Sequence, residues 1–276
     1  MLLIDKPNGM TSHDVVHRVR RAIGVKRVGH AGTLDPMATG LLVLGVGRAT
    51  RLLRFLADMP KVYEGSGVLG VTTDTLDAEG RIVQEMPVSV TRAELVASMS
   101  QLTGDIEQRP PAFSAIKVGG ERLYKSARRG EAVEVPPRRV RVDRVDLLAF
   151  DSPRFDFRVQ CSSGTYVRSL VADLGTKLGC GGHMAALRRT AIGPFTVDAA
   201  TSPEDPGELL PLDRAVAHLP DFTLHPEEAK AAVHGCCLGP AGIEGSYRAL
   251  GPDGKLIGIY RDDGAKAVPE VILAPA

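Results

Sequence analysis

Apolar residues recur at helical spacing in several segments of the chain. The early segment TSHDVVHRVRRAIG places four apolar side chains on one helical face: Val15, Val16, Val19 and Ile23. Thr11 is a candidate N-cap, and Gly24 can end this helix because glycine accepts the left-handed backbone of a C-cap. The same spacing predicts a helix in SSGTYVRSLVADLGTKLG, and Thr91 and Glu94 have the spacing of a capping box for a third helix.

Other segments have the pattern of β-strands. FDFRVQC, residues 155–161, alternates apolar and polar side chains, which is typical of a strand buried on one face. LLID and LLVLGVG are apolar runs typical of buried strands, whereas RATRLLRFLAD favours a helix. Strands and helices intermix without a regular βαβ repeat. The sequence therefore predicts an α+β fold with a mixed, largely antiparallel sheet flanked by helices.

A proline-rich segment divides the chain. Residues 201–212, TSPEDPGELLPL, combine several prolines with a glycine and suit neither a helix nor a central strand. We therefore expect a larger domain over residues 1–205 and a smaller one over residues 213–276.

Composition narrows the class of protein. The chain is 43% hydrophobic and 24% charged, as in ordinary globular proteins. With 4% aromatic residues and no tryptophan, a broad stacking platform for single strands is not expected. No apolar run approaches the roughly 18 residues of a membrane span, the start is not a signal peptide, and the four cysteines lack CxxC spacing. These features predict a cytoplasmic protein with reduced thiols and no membrane segment.

Charge is unevenly distributed, although the net charge is only +1. Residues 1–54 hold nine basic against three acidic residues, and residues 109–144 hold ten against four. Residues 201–276 reverse the balance, with six against twelve. Two basic segments on a nearly neutral chain indicate either a polyanionic partner held on one face or ordinary solvated surface.

The second basic segment has a composition of its own. RPPAFSAIKVGGERLYKSARRGEAVEVPPRRVRV carries glycine and proline at its turns and a short amphipathic piece, ERLYKSARRG. It fits an arm that becomes ordered on a partner. An ordinary strand–turn–helix excursion fits equally well.

A single carboxylate stands in a glycine- and threonine-rich segment, GHAGTLDPMATG. Asp35 is the only acidic residue between Asp14 and Asp58. An Asp-Pro pair commonly starts a turn, because proline presets the backbone and aspartate caps its neighbours. The chemical alternative is covalent nucleophilic catalysis, which needs one ionised carboxylate and no second acid.

Other kinds of site fit this segment poorly. Leu41 and Leu42 follow the last glycine, where a P-loop needs Lys and Ser or Thr. His30 and Asp35 have no further ligand nearby in the sequence, so no metal site is expected. Glycoside hydrolysis usually requires two carboxylates, and the local sequence offers one. A buried Asp35 needs a cation to stay ionised, and Arg168 is a candidate.

Six sequence blocks carry a family resemblance, and they occur in one order between about residues 2 and 200: LLIDKPNGMTSHDVV, VGHAGTLDPMATGLLVLGVGRATRL, KVYEG, SAIKVGGERLYKSARRGE, CSSGTYVRSL and GGHMAALRRTAIG. Together they resemble the TruB family of bacterial tRNA pseudouridine-55 synthases. The resemblance implies a pseudouridine-synthase-like catalytic domain over residues 1–205 with an RNA-gripping insertion at about 109–140. Residues 213–276, whose own motif is much weaker, look like a small, mainly-β, PUA-like domain.

The resemblance also implies a reaction. Asp35 is then the nucleophile that acts on one uridine in the T-loop of tRNA, at position 55, after that base has flipped out. The bond between N1 and the ribose breaks, and the base turns and rejoins through C5. Because the base never leaves, no hydrolytic water is needed. Attack on the ribose C1′ and attack on the uracil C6 both remain open, and we favour C1′.

Two substrate-binding roles concern the flipped base. His30 resembles the residue that fills the gap left by the uridine and stacks in the loop, which offsets part of the cost of flipping. Tyr63 resembles the aromatic residue that packs on the target base and takes the C5 proton. Without the resemblance, His30 would be explained as a turn or core residue and Tyr63 as a strand tyrosine.

Four further substrate-binding roles follow from the same resemblance. Tyr166 and Arg168 match a pair in which the tyrosine bonds in the pocket and the arginine pairs with Asp35. Leu187 resembles a pocket-wall residue, and Lys6 matches a lysine near the active site. Surface contacts would otherwise account for Tyr166 and Arg168, and core packing for Leu187.

Partners and cofactors follow from the same resemblance. We expect a monomer that binds the tRNA T stem-loop without an obligatory protein partner, and no cofactor or metal, since isomerisation needs no redox or energy input. Two alternatives remain: an RNA-binding or RNA-folding module without turnover, and a relative that acts on another RNA with guiding proteins.

Overall fold

The computed structural model describes residues 1–114, 116–118, 121–123, 129 and 135–273. Its helices are α1 (Ser12–Ile23), α2 (Leu53–Ala57), α3 (Arg92–Ser100), α4 (Val167–Lys177) and α5 (Pro226–Val233). Its strands are β1 (Leu2–Lys6), β2 (Val28–His30), β3 (Thr39–Val46), β4 (Lys61–Leu69), β5 (Val71–Thr73), β6 (Ile82–Glu85), β7 (Gly104–Gln108), β8 (Lys117–Val118), β9 (Glu121–Arg122), β10 (Arg138–Asp151), β11 (Arg154–Cys161), β12 (Gly182–Ile192), β13 (Phe195–Thr196), β14 (Asp221–Thr223), β15 (Ser246–Leu250), β16 (Leu256–Asp262) and β17 (Ala267–Ile272).

A nine-stranded sheet organises the larger part of the chain. Seven strands follow the order β1-β3-β12-β4-β11-β10-β7, while β2 pairs with β3 and β13 with β12. Among the described strands of this sheet, β12 and β3 are the one pair that runs in parallel. The predicted α+β class with a largely antiparallel sheet is confirmed.

Side chains that alternate along β11 form the centre of the main core. Phe155, Phe157, Val159 and Cys161 are all buried, as the apolar–polar alternation predicts. They pack with apolar residues of α3 and α4, among them Leu95, Leu170 and Leu174. This core supports the beginning of α4, where the candidate residues Tyr166 and Arg168 lie.

Helix α1 has the boundaries that its caps predict. The Thr11 hydroxyl accepts a hydrogen bond from the Asp14 amide at 3.1 Å, and Gly24 adopts a left-handed φ of 68°. The apolar face of α1 packs against β1 and β3 in a separate cluster. The predicted capping box of α3, between Thr91 and Glu94, is also present.

The helix expected in RATRLLRFLAD is only partly correct. Residues Gly47–Leu52 form a 3₁₀ helix, and the α-helix α2 is limited to five residues. The Thr50 hydroxyl donates a hydrogen bond to the Gly47 carbonyl at 2.8 Å. This side-chain bond competes with the α-helical pattern and accompanies the tighter turn.

The smaller, mainly-β part contains a four-stranded sheet of β14, β15, β16 and β17, with α5 packed against it. It does not stand apart from the larger part. One apolar cluster joins residues of both parts: Met1, Leu3, Leu41, Leu52, Leu56, Ala215, Val216, Ile259, Val271 and Leu273. The guanidinium of Arg51 also donates to the Ile272 carbonyl at 2.6 Å.

Much of the expected insertion at 109–140 lies outside the described residues, including most of ERLYKSARRG. Its described part contains the paired strands β8 and β9. Within the described ranges, no helix has the length and apolar character that crossing a membrane requires.

Candidate active site

Asp35 lies in the turn between β2 and β3. Its carbonyl accepts a hydrogen bond from the Ala38 amide at 3.1 Å, as in an Asp-Pro turn. The Ser12 hydroxyl at the beginning of α1 accepts from the Leu34 amide at 2.8 Å and donates to its carbonyl at 3.1 Å. The turn is therefore fixed to α1, while 39% of the Asp35 side chain stays exposed.

Arg168 at the beginning of α4 binds this carboxylate. One terminal nitrogen lies 2.9 Å from an Asp35 oxygen, and the other lies 2.9 Å from an oxygen of Asp77. The guanidinium also donates to the carbonyls of Thr75 at 2.8 Å and Phe113 at 3.0 Å. Only 5% of the Arg168 side chain is exposed, so these contacts hold its guanidinium in one orientation.

Asp77 is a site residue that the sequence did not reveal. Asp35 is isolated along the chain, but in space the two carboxylates share one guanidinium. Asp77 is itself buried, and its second oxygen accepts hydrogen bonds from Thr75 and the Glu79 amide. It is a poor candidate for the second carboxylate of a glycosidase, because both of its oxygens are bound by protein donors.

Several charges act on the ionisation of Asp35. Burial raises the pKa of Asp35, the Arg168 guanidinium lowers it, and the Asp77 carboxylate raises it again. The Lys6 ammonium opposes the increase more weakly. The ionised carboxylate is the reactive form, so a reaction that depends on it should accelerate as pH rises through this raised pKa.

Lys6 lies under the same turn. It is fully buried, and its ammonium donates to the carbonyls of Pro7 at 3.0 Å, Met10 at 2.5 Å and Pro36 at 3.1 Å. Burial lowers the pKa of Lys6 to about 8. Through these hydrogen bonds Lys6 connects the DKPNG loop to the turn that carries Asp35.

Tyr63 and Leu187 face the same core from neighbouring strands. Both side chains are 8% exposed and join the cluster that includes Leu34 and Met37 of the Asp35 turn. Burial raises the pKa of the Tyr63 phenol, and the Arg189 guanidinium opposes this increase.

Tyr166 immediately precedes α4, and His30 is the last residue of β2. The Tyr166 backbone is bonded to the Gln108 side chain at 2.7 and 3.0 Å, and burial raises the pKa of its phenol. The His30 side chain is half-buried, and no described residue forms a hydrogen bond with its Nδ1 atom. Burial, followed by the Arg189 charge, lowers the pKa of His30, which favours a neutral ring.

A cleft of about 570 Å³ opens beside these residues, with Met37, Thr39, Glu79 and Leu187 among those that line it. This volume lies within the range of small-molecule sites. Among the residues that the structure describes, no group of three His, Cys, Asp or Glu could hold a metal ion. The arrangement thus offers one partly exposed carboxylate, fixed by a buried cation, in a turn whose Met37 lines the cleft.

Three family models match the chain. They are TruB family pseudouridylate synthase (N terminal domain) over residues 20–167, tRNA pseudouridylate synthase B C-terminal domain over 168–205, and tRNA Pseudouridine synthase II, C terminal, over 219–274.

Similar proteins are found among both sequences and structures. The tRNA pseudouridine synthases B of Mycobacterium tuberculosis and Thermobifida fusca are 46% and 48% identical, over 100% and 99% of this chain and 96% and 98% of theirs. The archaeal box H/ACA sRNP Nop10-Cbf5 complex contains a chain with a TM-score of 0.75 at 25% identity, covering 99% of this chain and 86% of that one. An H/ACA RNP bound to a substrate RNA containing 2'-deoxyuridine has a TM-score of 0.74 at 23% identity, covering 99% and 84%.

Proposed function

This chain belongs to the TruB family of pseudouridylate synthases, and from that premise we propose that it converts a uridine of tRNA to pseudouridine. More specifically, the substrate is the uridine at position 55 in the T-loop, and Asp35 is the nucleophile. The observation that carries the proposal is the partly exposed Asp35 carboxylate held at 2.9 Å by Arg168 beside a cleft.

The proposed reaction uses one carboxylate. Asp35 attacks the ribose C1′, the N1–C1′ electron pair leaves with the uracil, and the base turns while it stays in the site. C5 then displaces the carboxylate from C1′, and the proton lost from C5 balances the one gained at N1. No water is consumed, so the reaction needs no second carboxylate to activate one. This agrees with Asp77, whose two oxygens are already bound by protein donors.

The surrounding residues fit a flipped base. The cleft has room for a small molecule, and the Leu187 side chain provides an apolar wall. The lowered pKa of His30 favours an uncharged ring, which suits stacking in the space that the uridine vacates. In this proposal Tyr63 packs on the base and Tyr166 provides a polar contact to it.

A basic groove offers a path for the rest of the RNA. It has a volume of about 1000 Å³ and runs along α1 from Gly9 and Met10 to Lys26. The end of the groove at Gly9 adjoins the Asp35 turn, because the Gly9 amide donates a hydrogen bond to the Pro36 carbonyl at 2.9 Å. In the described parts of the chain, Arg21 and Lys26 form no ion pair, so their charges can face phosphates.

Replacing both groove cations should weaken tRNA binding. In Arg21→Gln/Lys26→Gln, the slope of log affinity against log salt should flatten by about 1.4 to 1.8, since each phosphate contact contributes about 0.7 to 0.9. The measurement is filter binding over a salt series. The matched control is Arg92→Gln/Lys177→Gln, which removes two cations outside the groove and should leave the slope unchanged. Equal slopes in both double variants would place Arg21 and Lys26 outside the RNA path.

We also propose that residues 1–205 suffice for chemistry and that residues 213–276 support folding and RNA binding. All seven candidate site residues precede the linker. The shared apolar cluster means that removal of the smaller part exposes Leu3, Leu41 and Leu56.

A chain ending at residue 212 should fold, bind tRNA more weakly and keep some turnover. Its unfolding midpoint should fall by about 5 °C or more, since each kcal/mol lost lowers the midpoint of a domain this size by about 2 to 4 °C. Thermal unfolding, filter binding and turnover at saturating tRNA test this together. A folded truncated protein without any turnover would show that the smaller part completes the active site.

Tritium release from C5-labelled uridine in tRNA tests the function as a whole. The purified protein, with EDTA and without nucleotide or partner proteins, should release the label. Binding without release would favour an RNA-binding module, and release only with added RNA and proteins would favour a guided enzyme.

A further inference from the structure

Arg189 occupies a junction of three strands next to the proposed site. It lies on β12 opposite Tyr63 of β4 and beside Gly40 of β3. Gly40 has a φ of 99°, and a Cβ there would come within 2.3 Å of the Arg189 carbonyl, so the two backbones touch. The Arg189 side chain is 1% exposed and therefore has little freedom to move.

The bonds of this guanidinium are unusual for a buried cation. Its Nε donates to the Leu41 carbonyl at 2.8 Å, and a terminal nitrogen donates to the Gly32 carbonyl at 3.1 Å. Its cross-strand neighbour on β4 is Tyr63, and the Arg189 charge opposes the rise in the pKa of that phenol. No carboxylate among the described residues pairs with it, whereas buried Arg168 has two. A buried charge without a counter-ion is costly, so its retention calls for an anion during function.

The other charges around Arg189 do not supply that anion. Its nearest ionisable neighbours include Lys6, Lys61 and His30, and its charge contributes, after burial, to lowering the pKa of each. The Lys61 ammonium is occupied by the carbonyls of Ala57 and Met59. The neighbour of Arg189 that can become negative is the Tyr63 phenol, at the paired position of β4.

We propose that Arg189 is a positioning residue that fixes the Tyr63 oxygen and stabilises its phenolate while Tyr63 removes the C5 proton. The inference rests on the proposed function. Once C5 is bonded to C1′, C5 carries both the ribose and a hydrogen. The Tyr63 phenolate takes that proton, and the C5–H electron pair restores the C5–C6 double bond. The phenol then releases this proton to solvent. N1 takes one proton from solvent, so the protons balance.

The charged and titratable groups that act on Tyr63 come from three elements. Arg189 on β12 favours the phenolate, whereas Asp35 in its turn and Cys161 on β11 disfavour it. Burial raises the pKa of Cys161 to about 11, so that thiol stays neutral. Arg189 is thus the charge that opposes the effect of burial on the Tyr63 phenol.

The test compares turnover of tRNA labelled with hydrogen or deuterium at C5 of the target uridine. Arg189→Lys keeps the charge but cannot make both carbonyl bonds and also face the Tyr63 phenol, so kcat should fall about tenfold to a hundredfold, with KM within about twofold. Removal of the C5 proton should then limit the rate, and a primary deuterium isotope effect should appear. Adding Arg189→Lys to Tyr63→Phe should cause no further loss of kcat.

The control is Arg158→Lys, the same change in an arginine of β11 that pairs with Glu64 on the exposed side of the sheet. It should keep wild-type kcat and show no new isotope effect. If Arg189→Lys does not fold by circular dichroism, Arg189→Gln, which keeps an amide donor without the charge, is measured in the same way.

Two kinds of failure are distinguishable. Wild-type protein that forms no pseudouridine, or Tyr63→Phe with normal turnover, would contradict the proposed function. A folded Arg189 variant with lower kcat but no isotope effect, or with a loss that adds to that of Tyr63→Phe, would contradict only the role of Arg189.

Discussion

Asp35→Asn is expected to reduce turnover below detection while tRNA affinity changes by less than about 1 kcal/mol. An amide is a very poor nucleophile, but it has nearly the size of the carboxylate and can occupy the same turn. The backbone bond from Ala38 does not depend on the side chain, and Arg168 keeps its pairing with Asp77. The fold should therefore persist. Tritium release and filter binding on the same preparation separate the two effects.

The matched control is Asp151→Asn, which makes the same change at an exposed carboxylate on β10. It should behave as the wild type in both assays. If Asp35→Asn keeps even a tenth of normal turnover, Asp35 is a turn residue rather than the nucleophile.

Arg168→Lys is expected to lower turnover by about a hundredfold to a thousandfold without loss of tRNA binding. The charge remains, but a lysine cannot hold Asp35 and Asp77 at once and also bind two carbonyls. The Asp35 carboxylate then loses its fixed orientation. Single-turnover rates at saturating tRNA measure the effect directly.

Arg158→Lys is the control here too, because its arginine lies on the exposed side of the sheet and binds Glu64. An unchanged single-turnover rate in folded Arg168→Lys would show that the guanidinium bridge between Asp35 and Asp77 is not needed for the reaction.

Sequence patterns predicted those helices and strands whose formation depends on residues close together in the chain. The caps of α1 and α3 are formed within four residues of chain, and the alternation in β11 reports one buried face, so each could be read from the sequence. The parallel pairing of β12 with β3 could not, because it joins segments that are far apart in the chain.

The candidate site shows the same division. The resemblance identified Asp35 and Arg168, and the structure brings them together. Asp77 lies in the polar segment TTDTLDAEG, which has the pattern of a surface turn, and it is buried by tertiary contacts that include the ion pair with Arg168. Arg189 follows another arginine in LRRT, and nothing in that pair tells which of the two points inward.

Mapping pseudouridine at single-nucleotide resolution tests the central claim most directly. Unmodified tRNA is incubated with the wild-type protein or with Asp35→Asn, without other proteins, and every uridine is examined. Pseudouridine at the T-loop uridine 55 with the wild type, and none with Asp35→Asn, is the predicted result. Modification at a different uridine, or equal modification at position 55 by both proteins, would contradict it.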